Sequence, residues 1–187
     1  MADDDAEARE EVHEAAPEVP SDEVAAAVVE QFPGTVFVES HGQSVVYVDR
    51  QQWHDVAAFL RDEQQFTQCV DVTAVDQLVA PTRAVPPAVA AERFEVVANY
   101  LSHLRNRRIR VIAQVPADDP AIASLADIYP GVNFAERETY DLFGVEFAGH
   151  PDLTRILMPD DWVGHPLRKD DAPARVPVTF KGDPSPR

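Results

Sequence analysis

The chain has 187 residues, with 33 acidic and 16 basic side chains and a formal charge of −17. This length suits one ordinary domain with a hydrophobic core, because a chain of about 150 residues buries roughly two-thirds of its unfolded surface. The single cysteine, Cys69, excludes a disulfide framework, a four-thiolate zinc site and a self-contained iron–sulfur cluster. The negative charge argues against nucleic acid or an anionic membrane surface as the main partner, because those interfaces are built from Lys and Arg.

Much of the negative charge lies in residues 1–23, which hold ten acids and one base and so carry −9, leaving −8 for the other 164 residues. A segment with many carboxylates and few large apolar side chains cannot bury enough surface to offset the entropy lost on ordering. We therefore predict a disordered acidic tail over residues 1–20. The longest proline-free apolar run, residues 24–29, is far shorter than a membrane span, so a cytosolic or peripheral protein is expected.

Residues 21–62 alternate between helical and strand periodicity. Ser21 is placed to cap a helix that a Pro-Gly pair ends, and two strands follow, joined by a hairpin turn at residues 41–43. Asp49 and Gln52 have capping-box spacing before a second, amphipathic helix. The apolar side chains with helical spacing are Val24, Ala27, Val28 and Phe32, then Trp53, Val56, Ala57 and Leu60, and those that alternate in the strands are Val36, Val38, Val46 and Val48.

Three further strands are predicted between residues 66 and 115. The last two are predicted hairpin neighbours across a turn that contains Asn106. The proline-rich residues 78–91 predict a loop between the first two. The alternating apolar side chains are Phe66, Val70, Val72 and Ala74 in the first strand, Phe94, Val96, Ala98 and Tyr100 in the second, and Ile109, Val111, Ala113 and Val115 in the third.

Two helices are predicted between residues 119 and 144. Asp119 followed by a proline is a typical helix start, because proline is tolerated at the first helical position. Asn133 and Glu136 are spaced to cap a second short helix, which Gly144 can end. The buried stripe of the first of these helices would consist of Ile122, Leu125, Ala126 and Tyr129.

Residues 149–187 contain seven prolines, which leave little room for regular elements. A flexible linker would not keep many large apolar groups, so we predict an extended arm that lies against another surface. These apolar residues are Leu153, Ile156, Leu157, Met158, Trp162, Leu167, Val176 and Phe180.

The densest polar cluster lies at residues 136–141. On a helix, Arg137 and Asp141 are four residues apart and are expected to pair. Glu136 and Glu138 could be read as a general acid and base. Residues two apart on a helix point in different directions, however, so the two carboxylates cannot converge on one substrate atom. The cluster therefore favours a structural or interface role.

Two histidines, His150 and His165, each precede a proline and lie near several aspartates, which raises the possibility of a metal site. Ligands 15 residues apart in loops, with no thiolate, match no closed coordination pattern. The favoured interpretation is that each ring fixes a turn by bonding local carbonyls. The aspartates in question are Asp152, Asp160, Asp161 and Asp170.

A second candidate is the group of arginines at the predicted hairpin turn. Pairing of these arginines with carboxylates of this chain or of a partner is favoured over phosphate binding, because no aromatic platform interleaves them. Cys69 is predicted on the strand face opposite the main apolar set, with nothing nearby to activate its thiol. The arginines are Arg105, Arg107, Arg108 and Arg110.

Residues 136–170 carry a long recognisable string, which includes Glu136-Arg137-Glu138, Tyr140-Asp141-Leu142-Phe143-Gly144, Gly149-His150-Pro151-Asp152-Leu153 and Gly164-His165-Pro166-Leu167-Arg168. This string resembles the thirty-kilodalton subunit family of proton-pumping NADH-quinone oxidoreductase, or respiratory complex I, known in bacteria as the C subunit. The resemblance extends over residues 24–182. The motif and interface residues that it marks in this chain are Glu136, Arg137, Glu138, Tyr140, Asp141, Phe143, Gly144, His150, Arg155, Trp162, His165 and Arg168.

The resemblance implies an α+β fold, with a mixed, largely antiparallel sheet and helices packed on it over residues 21–148. An extended Pro-rich arm over residues 149–187 would dock on a partner, chiefly the homologue of the forty-nine-kilodalton subunit. It also implies a non-catalytic subunit in the hydrophilic arm of the complex, peripheral on the cytoplasmic side of the cell membrane. No cofactor would lie on this chain, whereas FMN and iron–sulfur clusters elsewhere in the complex would pass electrons from NADH to quinone.

Three alternatives stay open from the sequence. The chain could serve as the same subunit in a related complex, either a dehydrogenase of the reduced deazaflavin coenzyme F420 or a membrane-bound hydrogenase. It could instead be a stand-alone hydrolase or metal enzyme that uses Glu136, Glu138, His150 and His165, or an interaction module with another partner.

Overall fold

The computed structural model describes residue 20, residues 22–80, residue 83 and residues 85–171. The predicted acidic tail, apart from Pro20, and the last sixteen residues of the predicted arm lie outside this part of the chain. The first elements are α1 (Glu23–Gln31), β1 (Val36–Ser40), β2 (Gln43–Val48), α2 (Trp53–Asp62) and β3 (Gln68–Asp76). They are followed by β4 (Phe94–Ser102), β5 (Arg107–Val115), β6 (Ala121–Ala123), a 3₁₀ turn (Pro130–Val132), α3 (Asn133–Phe143) and β7 (Glu146–Ala148).

Five strands form one mixed sheet in the order β1-β2-β5-β4-β3. Every neighbouring pair in it is antiparallel except β2 and β5, which run parallel. The short strands β6 and β7 make a separate parallel pair. The prediction of an α+β fold with a largely antiparallel sheet is therefore confirmed.

One face of this sheet forms the core against the helices. The register aligns Phe37, Val46, Val111, Ala98 and Val72 across all five strands, and every one of these side chains is buried. The predicted faces of β4, β5 and α2 are confirmed, since each of their named apolar residues is at most 2% exposed. In β1 it is Phe37, between Val36 and Val38, that faces the core, because it lies opposite Val46 in the hairpin.

The predicted alternation along β3 breaks at Val70, which is 45% exposed. A register shift between Cys69 and Asp71 marks a β-bulge, and the extra residue in β3 puts the side chains before it out of alternation with those after it. Cys69 consequently packs against the core cluster, contrary to its predicted place on the opposite face. Burial raises the pKa of the Cys69 thiol to about 12, so this thiol is not activated.

The helix starts differ from the predicted ones. Asp22 caps α1, since its Oδ1 accepts hydrogen bonds from the N–H groups of Val24 (2.8 Å) and Ala25 (3.2 Å). The Ser21 cap lies outside the described residues. The prediction of a capping box before α2 was wrong. Asp49 accepts a hydrogen bond from the N–H of Gln51 and so closes the turn before the helix. Gln52 is the N-cap residue of α2, but its side chain makes no cap bond.

The helix predicted after Asp119 was also wrong. Residues 121–123 form β6, which pairs with β7. Ile122, Leu125 and Tyr129 are nevertheless buried, so the apolar pattern was read correctly and its backbone conformation was not. A strand partner supplied from farther along the chain outcompetes the local helical pairing.

The second predicted helix of this region is confirmed as α3, and Gly144 ends it in the left-handed conformation with φ of +69°. Its predicted caps are not, because neither Asn133 nor Glu136 bonds the first turn. None of the described helices is long and apolar enough to cross a membrane.

Candidate functional site

Most of the predicted motif residues lie where α3 faces residues 149–171, which we call the arm segment. The arm segment has no helix or strand, and side chains of α3 bond its backbone directly. Glycines at 149 and 164, with φ of +86° and +92°, allow its turns. The arm segment, which makes few backbone hydrogen bonds within itself, is thus held in one conformation by side chains of α3.

Asp141 is the centre of this contact. Its carboxylate is fully buried, and Oδ2 accepts hydrogen bonds from the N–H groups of Ile156 (3.0 Å), Leu157 (2.8 Å) and Met158 (2.9 Å). Arg155 donates to Oδ1 at 2.7 Å. Burial alone would raise the pKa of Asp141, but these four donors outweigh it and lower the pKa to about 2. The carboxylate is therefore ionised, and its donors fix the backbone of residues 155–158.

Arg137 does not pair with Asp141, contrary to the prediction from helical spacing. Its guanidinium donates instead to the carbonyl of Thr154 (3.1 Å), to Thr154 Oγ1 (2.9 Å) and to the carbonyl of Arg155 (3.2 Å). Both arginines therefore contribute to the same loop, Arg137 by bonding its carbonyls and Arg155 by bonding Asp141.

The end of α3 is covered by His165 and Arg168. His165 Nδ1 lies 3.0 Å from the carbonyl oxygen of Asp141, and Arg168 donates to the carbonyls of Phe143 (2.5 Å) and Gly144 (3.1 Å). The last carbonyls of a helix have no partner within it, and a cation is favoured beside them. The His165 ring also lies edge-on to Tyr140, with 6.1 Å between ring centroids.

Glu136 and His150 form a second buried contact. Glu136 is fully buried and accepts from Ser124 Oγ (2.6 Å) and from the N–H of Leu125 (2.6 Å). His150 Nε2 lies 3.2 Å from the carbonyl of Asn133 and 3.9 Å from Glu136 Oε2. The carbonyl that His150 contacts is therefore 17 residues away on α3 and not the local one that was predicted, whereas its Nδ1 accepts from the N–H of Asp152 (3.0 Å) within its own turn.

The polar groups of the site do not form an acid–base pair. Glu136 points into the interior whereas Glu138 is exposed on the other side of α3, so the two carboxylates diverge. Trp162 is half-buried, and among the described residues its hydrogen bond is a backbone one, from its N–H to the carbonyl of Pro159. Over residues 22–80, 83 and 85–171, no group of three or more His, Cys, Asp or Glu side chains is placed to hold a metal ion.

A second anchor for the arm segment, at Asp76, was missed from the sequence. Asp76 Oδ2 accepts from the N–H of Lys169 (2.9 Å), and Arg93 bridges Asp76 (2.8 Å) and Asp170 (2.5 Å). Burial raises the pKa of Asp76, but the Arg93 and backbone donors outweigh it and lower the pKa to about 2. The signal for this anchor is an aspartate at a core-facing position of a strand, where an unpaired charge is not tolerated.

The arm segment leaves apolar side chains in solvent although its backbone is held. Ile156 and Leu157 are 37% and 59% exposed beside the Asp141 anchor, and Leu167 is 43% exposed beside the Asp76 anchor. Val163, between them, is 91% exposed. Bound backbone with exposed large apolar groups is typical of a protein–protein contact surface.

Replacing Glu136 with Gln should remove the part of the pH dependence of stability that this carboxyl group causes. Burial raises the pKa of Glu136, so its contribution to stability is present at low pH and is lost as pH rises through that pKa. The free energy of unfolding of Glu136→Gln, relative to the wild type, should therefore increase between about pH 4 and pH 7. Urea unfolding at several pH values measures this.

The matched control for that experiment is Glu138→Gln. This residue is on the same helix but exposed, so its substitution should shift stability equally at each pH. Identical pH profiles for the two variants would contradict the assignment of a raised pKa to Glu136.

Comparison with known proteins places this geometry in a family. Residues 46–176 match the family described as respiratory-chain NADH dehydrogenase, 30 Kd subunit. Similar proteins include the NADH-quinone oxidoreductase C subunit of Geobacter sulfurreducens, 44% identical over 77% of this chain and 84% of that protein. The NADH-quinone oxidoreductase C subunit of Herpetosiphon aurantiacus is 43% identical over 80% of this chain and 83% of that protein.

Other relatives are longer than this chain. It covers 54% of the length of the corresponding C subunit of Saccharopolyspora erythraea, to which it is 42% identical over 75% of its own length. Among solved structures, the trypsin-resistant fragment (1–134) of Nqo5 superimposes with a TM-score of 0.60 at 30% identity, covering 70% of this chain and 96% of the fragment. A chain of an archaeal membrane-bound sulfane sulfur reductase shares the fold, with a TM-score of 0.61 at 23% identity, over 79% of this chain and 83% of that one. The matched span and these identities show that the chain belongs to the thirty-kilodalton subunit family of respiratory-chain NADH dehydrogenase.

Proposed function

We propose that this chain is a structural subunit, with no active site of its own, of a proton-translocating NADH-quinone oxidoreductase. In such a complex, electrons pass from NADH through FMN and iron–sulfur clusters to a quinone, and these groups would be held by other subunits. Family membership and the function named for its relatives support this assignment. The divergent directions of Glu136 and Glu138 fit a structural role better than acid–base catalysis.

The observation that carries the proposal is the way α3 holds the arm segment. Asp141 bonds three successive backbone N–H groups, which leaves the side chains of Ile156 and Leu157 pointing into solvent. Ordering a loop costs conformational entropy. In the arm segment, the hydrogen bonds to the buried Asp141 carboxylate offset this cost before any partner binds. A loop ordered before contact loses less entropy on binding, so its exposed apolar groups are suited to docking.

The partner in this proposal is the homologue of the forty-nine-kilodalton subunit in the hydrophilic arm of the complex. The contact would place this chain on the cytoplasmic side of the cell membrane, peripheral and held there by other subunits. Apolar centres with arginines around them are common at protein–protein interfaces, and the arm segment has this composition.

The charge change Leu157→Glu should release the chain from its complex. The carboxylate introduced at this position would have no compensating charge on an apolar partner surface. We therefore expect about tenfold less partner to be recovered with the tagged chain, which corresponds to a loss of about 1.4 kcal/mol in binding free energy. The measurement is quantitative mass spectrometry of the subunits that co-purify with the tagged full-length chain. Because it identifies those subunits, it also shows which electron-input module is present.

The control for this experiment is Val79→Glu. Val79 is 71% exposed, on a loop outside the arm segment, so the same change there should leave recovery unaltered. Thermal unfolding of both variants verifies that the fold is retained. Equal recovery with Leu157→Glu and the wild type would overturn docking through the arm segment.

A further inference from the structure

Three arginines at the turn between β4 and β5 are exposed and without hydrogen bonds to their side chains in the described part of the chain. They are Arg105, Arg107 and Arg108, which we call the arginine patch. Each of the other described arginines donates at least one side-chain hydrogen bond within the chain. The patch is thus a concentrated positive surface on a strongly acidic protein.

The start of α1 lies beside this patch. Asp22 Oδ2 is 4.0 Å from Arg107 Nε, the one ion-pair contact of the patch among the described residues. Asp22 also lines two open clefts there. One, of about 450 Å³, is shared with His103, Arg107 and Arg108. The other, of about 390 Å³, is shared with Glu23, Arg105 and Arg107. The start of α1 therefore lies at the surface of the arginine patch.

The sequence that precedes α1 has the complementary charge. Residues 1–19 hold eight carboxylates and one base, Arg9. Glu18 is four residues before Asp22, so the chain can extend at most about 14 Å between their Cα atoms. A tether this short gives an effective concentration in the millimolar range, and charges within about 10 Å are incompletely screened at 0.1 M salt.

We propose that the acidic segment of residues 3–18 docks in cis on the arginine patch and neutralises it. The contact is electrostatic and multivalent, with each guanidinium able to take a carboxylate from several positions along the segment. It uses a surface remote in sequence from the arm segment and does not depend on the proposed function. Its consequence is that other polyanions must displace the segment before they reach the arginines.

The test uses the full-length chain with a nitroxide label at Glu11→Cys, in a Cys69→Ala background. The label broadens amide signals of nearby residues in nitrogen-15 NMR spectra. We expect selective loss of the signals of residues 103–108 at low salt. Signals should recover at 1 M NaCl, where the Debye length falls to about 3 Å.

Two variants sharpen the result. Arg105→Gln with Arg108→Gln should abolish the selective signal loss, and because neither side chain bonds the fold, all other signals should stay in place. The control, Arg50→Gln, removes a charge next to the other end of β2 and should leave the loss intact. Broadening that is absent, or that persists in the double variant, would overturn the proposal. The proposal would also fail if nitroxide-labelled chains without isotope broadened the same signals in isotope-enriched chains without nitroxide. The occupant of the patch would then be a second copy of the chain.

Discussion

Asp141→Asn should lower the free energy of unfolding by about 3 kcal/mol, because removal of one partner from a buried charge pair leaves the other uncompensated. Arg155 would lose its carboxylate, and the amide, which has one accepting oxygen and one NH2 group, would turn its NH2 towards either the Arg155 guanidinium or the N–H donors of residues 156–158. Urea unfolding at pH 7 gives the free energy. Hydrogen exchange at residues 156–158 should become faster than in the wild type.

The same variant should flatten the acid limb of the stability profile. The ordinary pKa of an aspartate is 3.8 and that of Asp141 is lowered to about 2, so its stabilising contribution is present above about pH 4. That contribution is lost in the wild type as pH falls from 4 towards 2, whereas Asp141→Asn has none to lose. The control is Asp160→Asn, an exposed carboxylate of the arm segment. If both variants lost equal stability, the role assigned to Asp141 would be wrong.

Gly144→Ala should destabilise the protein by about 2–4 kcal/mol through two separate causes. The backbone φ of +69° is costly for any residue with a Cβ. An added Cβ would also lie 2.6 Å from the His165 ring and from Arg168 Nη2, so the cap on the end of α3 would have to move. Thermal and urea unfolding measure the loss, and changed chemical shifts of the His165 ring would report the displaced cap.

Gly42→Ala separates the two causes. Gly42 has a similar φ of +72°, but nothing lies within 4 Å of its added Cβ. It should therefore show only the backbone cost, about 1–2 kcal/mol. The difference between the two variants measures how strongly His165 and Arg168 hold the end of the helix. Equal losses would mean that this contact contributes nothing to stability.

Much of the fold was predictable because its strongest patterns are local. Helical spacing of the apolar side chains of α2 and strict alternation in β4 and β5 led directly to buried faces. The turn at Asn106, with φ of +49°, joins these two strands as expected from its residue type. A pattern repeated over nine or ten residues leaves few alternative conformations that bury the same side chains.

The errors arose where a distant segment decides the local backbone. Residues 121–123 have an apolar pattern that suits a helix, yet β7 offers strand pairing 25 residues later. The bulge at Cys69 likewise depends on the register with β4, which the sequence of β3 alone does not specify. In both cases the apolar residues were identified correctly and their geometry was set by tertiary contacts.

The structure shows where the positive charges of this acidic chain lie. The arginines of the described chain either hold the fold and the arm segment or lie in the arginine patch, which lies beside Asp22 at the start of α1. The net charge of −17 therefore does not describe any single surface of the protein.

The sequence by itself determined the family, the fold class and the polar residues around Asp141, but not the anchor at Asp76. Only the tertiary structure decided which of these residues bond each other. Helical spacing predicted that Arg137 would neutralise Asp141, but a fully buried carboxylate needs several donors at once. Neighbours on the same helix supply one donor at most, whereas the arm segment supplies three N–H groups and Arg155, from residues 14–17 positions away.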